Sequence, residues 1–134
     1  ADIHPAQILI GEDNIVNQKV MIRILERLGY QPSLAISGAD ALALATQNSF
    51  DIILMDVQMP IMDGIEATRR LRAWPGISQP YVIALTAAAT AEDRARCLAA
   101  GMNDFVPKPA NVNMVTQALE RAANTLSASP SPSN

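Results

Sequence analysis

The chain has 134 residues, which suits one domain with a single substantial core that needs no metal or disulfide for support. Apolar residues make up 49% of the chain and charged residues 17%, as in globular proteins, and a formal net charge of -3 offers no basic field for nucleic acid. Cys97 is the only cysteine and no apolar run reaches the roughly 20 residues of a membrane span, so we expect a cytoplasmic segment without disulfides or membrane contact.

The chain begins with a linker-like segment followed by a strand and a helix. Residues 1–6 show no periodicity and lack the basic start and apolar middle of a signal peptide, so we expect a linker. A short apolar strand over 7–11 then ends at Glu12 and Asp13. Apolar residues next recur at helical spacing up to Gly29, a plausible helix cap; they are Ile15, Val16, Val20, Ile24, Leu25 and Leu28.

A second strand and a second helix follow. The strand, over 30–36, contains Pro32, which cannot donate a ladder hydrogen bond and therefore predicts a position at the sheet edge. Ser37, with Asp40 three residues later, predicts the cap of the second helix. The predicted apolar face of that helix contains Ala41, Leu42, Leu44 and Ala45.

A third apolar strand ends in a single carboxylate, Asp56. So short and apolar a strand is typical of a parallel sheet covered on both faces. Asp63 then predicts the cap of a third helix, which the segment 74–76 (Trp-Pro-Gly) stops. Its predicted apolar face contains Ile65, Ala67, Thr68 and Leu71, and its predicted solvated residues are Arg69, Arg70 and Arg72.

The remaining elements repeat the alternation. They are a fourth strand over 81–85 ending in Thr86, a helix over 91–100 closed by Gly101, a fifth strand over 104–106 leading to Lys108, and a final helix with apolar residues Val112, Val115, Ala118, Leu119, Ala122 and Leu126. Residues 127–134 are Pro- and Ser-rich, which predicts a flexible tail or linker, so we expect the domain to span 7–126.

Five strand–helix units in series predict an α/β fold with a doubly wound, five-stranded parallel sheet, because right-handed crossovers leave few other arrangements. With strand order 2-1-3-4-5, the carboxyl ends of the strands meet at one edge. That edge would gather Glu12, Asp13, Asp56, Thr86 and Lys108.

Three carboxylates within a few ångströms cannot all stay ionised cheaply, so either one takes up a proton or a divalent cation lies among them. Ligands that are all oxygen favour Mg²⁺. A carboxylate beside Mg²⁺ is a competent nucleophile towards phosphorus, which makes Asp56 a candidate nucleophile. Lys108 and Thr86 would then hold the oxygens of the transferred group.

These residues, in this order and at these spacings, resemble the receiver domain of two-component response regulators, a (βα)5 flavodoxin-like fold, over about Gln7 to Leu126. The resemblance implies that Asp56 is the phosphoacceptor and that the domain catalyses its own phosphorylation and dephosphorylation. It implies that Glu12 and Asp13 position Mg²⁺, with Gln58 contributing its backbone carbonyl.

Two further roles follow from the resemblance. Thr86 and Phe105 match the family's switch residues, although the family often has Tyr at the second position, so a switching phenol hydroxyl is absent here. Lys108 matches the phosphate-binding lysine, and its bond to Pro109 is expected to be cis.

Two segments, GEDNIVNQKV and LMDVQMPIMDGIEATRRLR, look most like receivers attached to hybrid sensor histidine kinases. The resemblance implies a histidine kinase dimerisation domain or a histidine phosphotransfer domain as the partner, with small phosphodonors also able to react. The docking face would include Asn14, Ile15, Asn17 and Pro109. The parent could be a membrane-bound kinase whose cytoplasmic part includes this domain, while a stand-alone response regulator or a pseudo-receiver that only binds partners is the alternative.

Two other classes of protein fit less well. Phosphatases of the haloacid dehalogenase type also use an aspartyl nucleophile after a strand, but they need a second Asp two residues later, where this chain has Gln58. Flavodoxins need a hydroxyl- or glycine-rich phosphate loop after the first strand, whereas Glu12 and Asp13 would repel phosphate.

Overall fold

Five parallel strands form one sheet in the order β2-β1-β3-β4-β5, as predicted. The structure is a computed structural model and describes residues 7–59, 62–87 and 90–127. The strands are β1 (Ile8–Gly11), β2 (Ser33–Ala35), β3 (Ile52–Asp56), β4 (Tyr81–Thr86) and β5 (Asp104–Pro107). The helices are α1 (Ile15–Arg27), α2 (Gly38–Gln47), α3 (Gly64–Arg72), α4 (Ala91–Ala100) and α5 (Val112–Ser127).

Successive strand residues alternate between two separate cores, because side chains of a strand point to opposite faces of its sheet. Leu54 and Ile83 pack on the face covered by α1 and α5. Their neighbours Ile53 and Val82 pack on the face covered by α2, α3 and α4. The central strands are therefore buried on both faces, which explains their unbroken apolar sequence.

Side-chain caps start the first four helices. In each case the cap side chain accepts a hydrogen bond from the backbone N–H three residues later, and the caps are Asn14, Ser37, Asp63 and Thr90. The predicted stop signals are also confirmed, because Gly29, two residues after α1, and Gly101, directly after α4, adopt positive φ angles of 96° and 104°.

The predicted packing face of α1 is wrong in part. Ile15, Val16 and Val20 are 64%, 68% and 45% exposed. The residues of α1 that are buried are instead Gln18, Met21, Ile24 and Leu25. At about 100° per residue, Val16 and Val20 fall on the opposite side of the helix from Gln18 and Leu25, whereas Ile15 is exposed as the first residue of the helix. The helix therefore carries an exposed apolar strip as well as a buried one.

Smaller differences concern Arg72 at the end of α3, the exposed face of α5 and the end of that helix. Arg72 is not solvated as expected: it is half-buried and donates four hydrogen bonds. Val112 and Leu126, assigned to the apolar face of the final helix, are 40% and 41% exposed. Ser127 belongs to α5 rather than to a tail. The expected linker 1–6 and the rest of the expected tail, 128–134, lie outside the described residues, and no helix within the described ranges is long and apolar enough to be a membrane span.

Candidate functional site

Adjacent strand ends bring three carboxylates together. Glu12 directly follows β1, Asp56 ends β3, and these two strands are hydrogen-bonded neighbours. Oxygens of Glu12, Asp13 and Asp56 lie within 4.8 Å of one another. Glu12 and Asp56 are only 2% and 4% exposed, whereas Asp13 lies at the surface. The predicted acidic cluster therefore exists, with one carboxylate facing solvent.

Lys108 joins this cluster from the carboxyl end of β5, the edge strand of the sheet. Its Nζ lies 2.8 Å from Asp56 Oδ2 and 3.4 Å from Glu12 Oε1. Its backbone N–H donates to the Thr86 carbonyl oxygen at 2.9 Å, so the end of β4 fixes the lysine's position. The Lys108–Pro109 peptide bond is cis, as expected. Thr86 itself is buried at the end of β4, one residue beyond the pair formed by Leu85 and Asp56.

The loop after Asp56 folds back against the strand end. The backbone N–H of Gln58 donates to Asp56 Oδ1 at 3.1 Å, and the N–H of Gly64 donates to the carbonyl of Val57 at 3.0 Å. A Cβ atom at Gly64 would overlap the backbone carbonyl of Asp56. Only glycine fits this close approach, so the start of α3 helps to set the position of Asp56.

Glu12 is held by one residue of α1 and by the N-terminal cap of that helix. The N–H of Asn14 donates to Glu12 Oε2 at 3.2 Å, and Gln18 Nε2 donates to the Glu12 carbonyl oxygen at 2.8 Å. Burial raises the pKa of Glu12, the neighbouring Asp56 carboxyl raises it further, and Lys108 only partly opposes them. Extra positive charge at this point would therefore stabilise the ionised carboxylate.

The same cluster acts on Lys108 in the opposite sense. Burial alone would lower the pKa of its ammonium group, but the hydrogen bond to Asp56 and the charges of Asp56 and Glu12 outweigh burial and raise it. Lys108 is thus a fixed cation at neutral pH, aimed at the carboxylate that we consider as the nucleophile.

The donor set fits a hard divalent cation. It consists of carboxylate oxygens from Glu12, Asp13 and Asp56, and one of them faces water, as Mg²⁺ requires because it retains several water ligands.

Phe105 lies on the other face of the sheet from the α1 side. It is half-buried, packs against the core beneath α2, α3 and α4, and has the Arg94 guanidinium 5.5 Å from the centre of its ring. It is thus neither plain core nor fully exposed.

The expected docking residues lie at the start of α1 and in the loop after β5. Asn14 is the cap of α1, and its Oδ1 accepts from the Asn17 N–H at 3.0 Å, while Ile15 projects into solvent. Asn17 and Pro109 line a cleft of about 330 Å³ that reaches Glu12 and Lys108. The apolar walls of the cleft come from Val20, Met21, Leu85 and Ala110, together with Ala87.

Sequence reasoning missed Gln18, which is buried and supports the backbone of Glu12. A polar residue three positions from both Ile15 and Met21 was the available signal, since a buried amide needs a hydrogen-bond partner. It also missed that Val20 lines the cleft.

The family model for the response regulator receiver domain matches residues 8–120. The chain belongs to this family. It is a phosphorelay receiver of the kind found in hybrid histidine kinases: over 123 residues it is 39% identical to hybrid signal transduction histidine kinase H of Dictyostelium discoideum, covering 89% of this chain and 9% of that protein. The receiver thus spans about a tenth of the curated relatives that it matches.

Two solved structures give context for the site. The receiver domain of sensor histidine kinase PA1611 from Pseudomonas aeruginosa, solved with magnesium in its active site cleft, is 42% identical with a TM-score of 0.81, covering 88% of this receiver and 97% of that chain. The Saccharomyces cerevisiae receiver domain of Ssk1, solved with the histidine phosphotransfer protein Ypd1, is 27% identical with a TM-score of 0.83, covering 93% and 94%. One receiver domain of this family thus holds magnesium in its active site cleft, and another forms a complex with a histidine phosphotransfer protein.

Proposed function

We propose that Asp56 accepts a phosphoryl group from a phosphohistidine and that the resulting acyl phosphate shifts the conformation of the domain. The observation that carries the proposal is the 2.8 Å contact between Lys108 Nζ and Asp56 Oδ2, in a buried site that also contains Glu12. A purely structural strand end does not need a buried carboxylate paired with a lysine 52 residues away in the chain.

In the proposed reaction, an Asp56 oxygen attacks phosphorus and forms a P–O bond as the P–N bond to imidazole breaks. The imidazole keeps the bonding electron pair and takes up a proton. Lys108 moves its hydrogen bond from the carboxylate to the phosphoryl oxygens, and the Gln58 N–H holds the loop against the acceptor. The Thr86 hydroxyl approaches the new phosphoryl group from β4.

Mg²⁺ would be held by Glu12, Asp13 and Asp56, with the Gln58 backbone carbonyl as the fourth protein ligand. When bound, it neutralises charge on the phosphoryl oxygens and orients them for in-line attack. The magnesium in the PA1611 receiver supports this assignment. Glu12 contributes charge from its buried position, and Asp13 contributes from the solvent side.

The proposed response uses Thr86 and Phe105. The phosphoryl group adds about -1.5 to -2 charges, which would draw the Thr86 hydroxyl inward and leave space for the Phe105 ring. The Phe105 ring is half-buried beside Arg94 rather than enclosed in the core, which supports its assignment as the moving residue. Phosphorylation would thereby shift a pre-existing equilibrium of the surface formed by α4 and β5.

We propose a four-helix phosphodonor as the partner, either a histidine kinase dimerisation domain or a histidine phosphotransfer domain. It would dock over Asn14, Ile15, Asn17 and Pro109; Asn17 and Pro109 line the cleft that reaches Lys108, and Ile15 is exposed at the start of α1. The similarity to hybrid kinases supports a parent chain of that type, working in the cytoplasm, where a kinase finds ATP. Small phosphodonors would react at the same carboxylate.

The experiment incubates the domain with acetyl phosphate and Mg²⁺ and weighs the intact protein. We expect the wild type to gain one acid-stable, base-labile phosphoryl group and Asp56→Asn to gain none. Asp51→Asn is the matched control, because Asp51 lies directly before the amino end of β3, whereas Asp56 lies at its carboxyl end. An unmodified wild type would show that the proposal is wrong and favour a pseudo-receiver that only binds partners. Equal modification of Asp56→Asn would also overturn it, because the phosphoryl group would then be on another residue.

A further inference from the structure

The surface of α1 combines an apolar groove with a row of positive charges. A groove of about 330 Å³ runs between α1 and the start of α5, and its apolar lining is Val16, Val20, Ile24 and Val112. Its remaining lining residues are Lys19, Arg23 and Arg27. Val16, Val20 and Val112 are each at least 40% exposed, so this lining is open to a partner.

The three basic residues follow one side of the helix. They are spaced four residues apart, so they form a row about 12 Å long on one side of α1. All three side chains are exposed, and no carboxylate in residues 7–59, 62–87 or 90–127 forms an ion pair with them. They are 3 of the 10 lysines and arginines in a chain whose net charge is -3. The row is thus a local positive field on an acidic protein.

The groove is continuous with the reaction centre. Val20 lines both the groove and the cleft that reaches Glu12 and Lys108. A partner that places a phosphorylated side chain at Lys108 and lies against Val20 therefore extends over Lys19 and Arg23. One elongated apolar element with acidic flanks satisfies both parts of this surface.

From this continuity, and resting on the proposed function, we infer that the phosphodonor of this receiver carries acidic side chains beside the apolar strip around its histidine, and that Lys19, Arg23 and Arg27 select it by charge. Such pairs act mainly on encounter rate and partner choice rather than on final affinity. The chemistry at Asp56 would be left unchanged by altering them.

The test swaps charges on both sides. The probe is phosphorylated Ypd1 in two versions, with Glu or with Lys at surface positions that flank its phosphorylated histidine. We expect the wild-type receiver to accept phosphoryl groups from the Glu version about tenfold faster or more at low ionic strength, a difference that shrinks as salt is added. The triple variant Lys19→Glu, Arg23→Glu, Arg27→Glu should reverse this preference.

The matched control is Arg69→Glu, Arg70→Glu, Arg96→Glu, which changes the net charge by the same amount on other helices and should keep the wild-type preference. Acetyl phosphate serves as the second donor: all three proteins should react with it at similar rates, which also shows that the variants fold. If the wild type fails with acetyl phosphate, the proposed function is wrong.

If acetyl phosphate works but the α1 variant keeps the wild-type preference, the charge-selection inference is wrong. Sedimentation tests the other occupant of the groove. A wild-type dimer that the α1 variant converts to a monomer would assign the groove to a second copy of this chain and also overturn the inference.

Discussion

Arg72, at the end of α3, donates its Nε–H to the carbonyl oxygen of Gly101, which closes α4, across 2.9 Å. Its other guanidinium nitrogens bond to Gln79, Pro80 and Asn103 at 2.7 to 2.9 Å. One side chain thus ties two helices to the segments that enter β4 and β5. These segments lie at the amino ends of the strands, whereas the candidate site lies at the carboxyl ends.

We predict that Arg72→Met lowers the free energy of unfolding by about 1.5–3 kcal/mol, because it removes charged hydrogen bonds from a half-buried position. Arg69→Met on the same helix should cost about 0.5 kcal/mol, since Arg69 is exposed and pairs only with Glu66. Urea unfolding measures both. Equal effects of the two substitutions would contradict the anchoring role of Arg72, and phosphorylation by acetyl phosphate should stay at the wild-type rate in each.

Gly64→Ala should impair both stability and phosphorylation. The new methyl group would meet the backbone carbonyl of Asp56, so we expect a loss of about 1–3 kcal/mol and a slower reaction with acetyl phosphate. Gly76→Ala is the control: Gly76 has a φ of 80° with open space around it, so alanine there costs about 1–2 kcal/mol through backbone strain alone. A Gly64→Ala domain that reacts at the wild-type rate would show that the close approach of Gly64 does not determine the position of Asp56.

Removing the exposed carboxylate should weaken the metal site. We expect Asp13→Asn to lower Mg²⁺ affinity roughly tenfold or more, because even groups that only support metal ligands have effects of that size. Glu120→Gln, an exposed acid on α5, should bind like the wild type. Calorimetric titration measures the affinity, and an unchanged value for Asp13→Asn would remove Asp13 from the site.

Tyr81 should make the domain less stable at alkaline pH. Burial raises the pKa of its phenol and the nearby Asp104 raises it further, so the folded protein holds this proton more tightly than the unfolded chain does. Its contribution is therefore fully present below the unfolded pKa of 10.0 and is lost as pH rises through the folded value. Tyr81→Phe should show a shallower fall in unfolding free energy above pH 10; parallel curves would rule out this linkage.

Arg94 should stabilise the observed position of Phe105. A cation over an aromatic ring at a surface site contributes about 0.5–1 kcal/mol, so a double-mutant cycle of Arg94→Ala with Phe105→Leu should show coupling of that size. A cycle of Arg96→Ala with Phe105→Leu should show none, since Arg96 pairs with Asp93 instead. Equal coupling in both cycles would mean that Arg94 does not act through the ring.

The buried parallel strands were predictable from their apolar runs, and the meeting of Glu12, Asp56 and Lys108 followed once the strand order of the resembling receiver fold was assumed, because the carboxyl ends then share one edge. The caps Ser37 and Asp63 were equally predictable, since a cap depends on a side chain only three residues from its partner.

Features set by tertiary contacts were not predictable. Val16 and Val20 have the spacing of a core stripe, and only the docked orientation of α1 exposes them. Arg72 and Arg69 are both arginines near the end of α3. Arg72 is half-buried and Arg69 is exposed, because Gly101 and Asn103 approach Arg72 from a distant part of the chain. Local patterns carry no information about such encounters.

Phe105 and Val106 point to opposite faces of the sheet, which bears on where the phosphodonor and a downstream protein would bind. Val106 packs on the α1 side, where the donor is proposed to arrive, and Phe105 packs on the α4 side, where the response is proposed to emerge. Under this proposal, donor docking and response would occupy opposite faces of the sheet. A downstream protein would then not need to wait for the donor to leave before it binds, so phosphorylation and downstream binding would overlap in time.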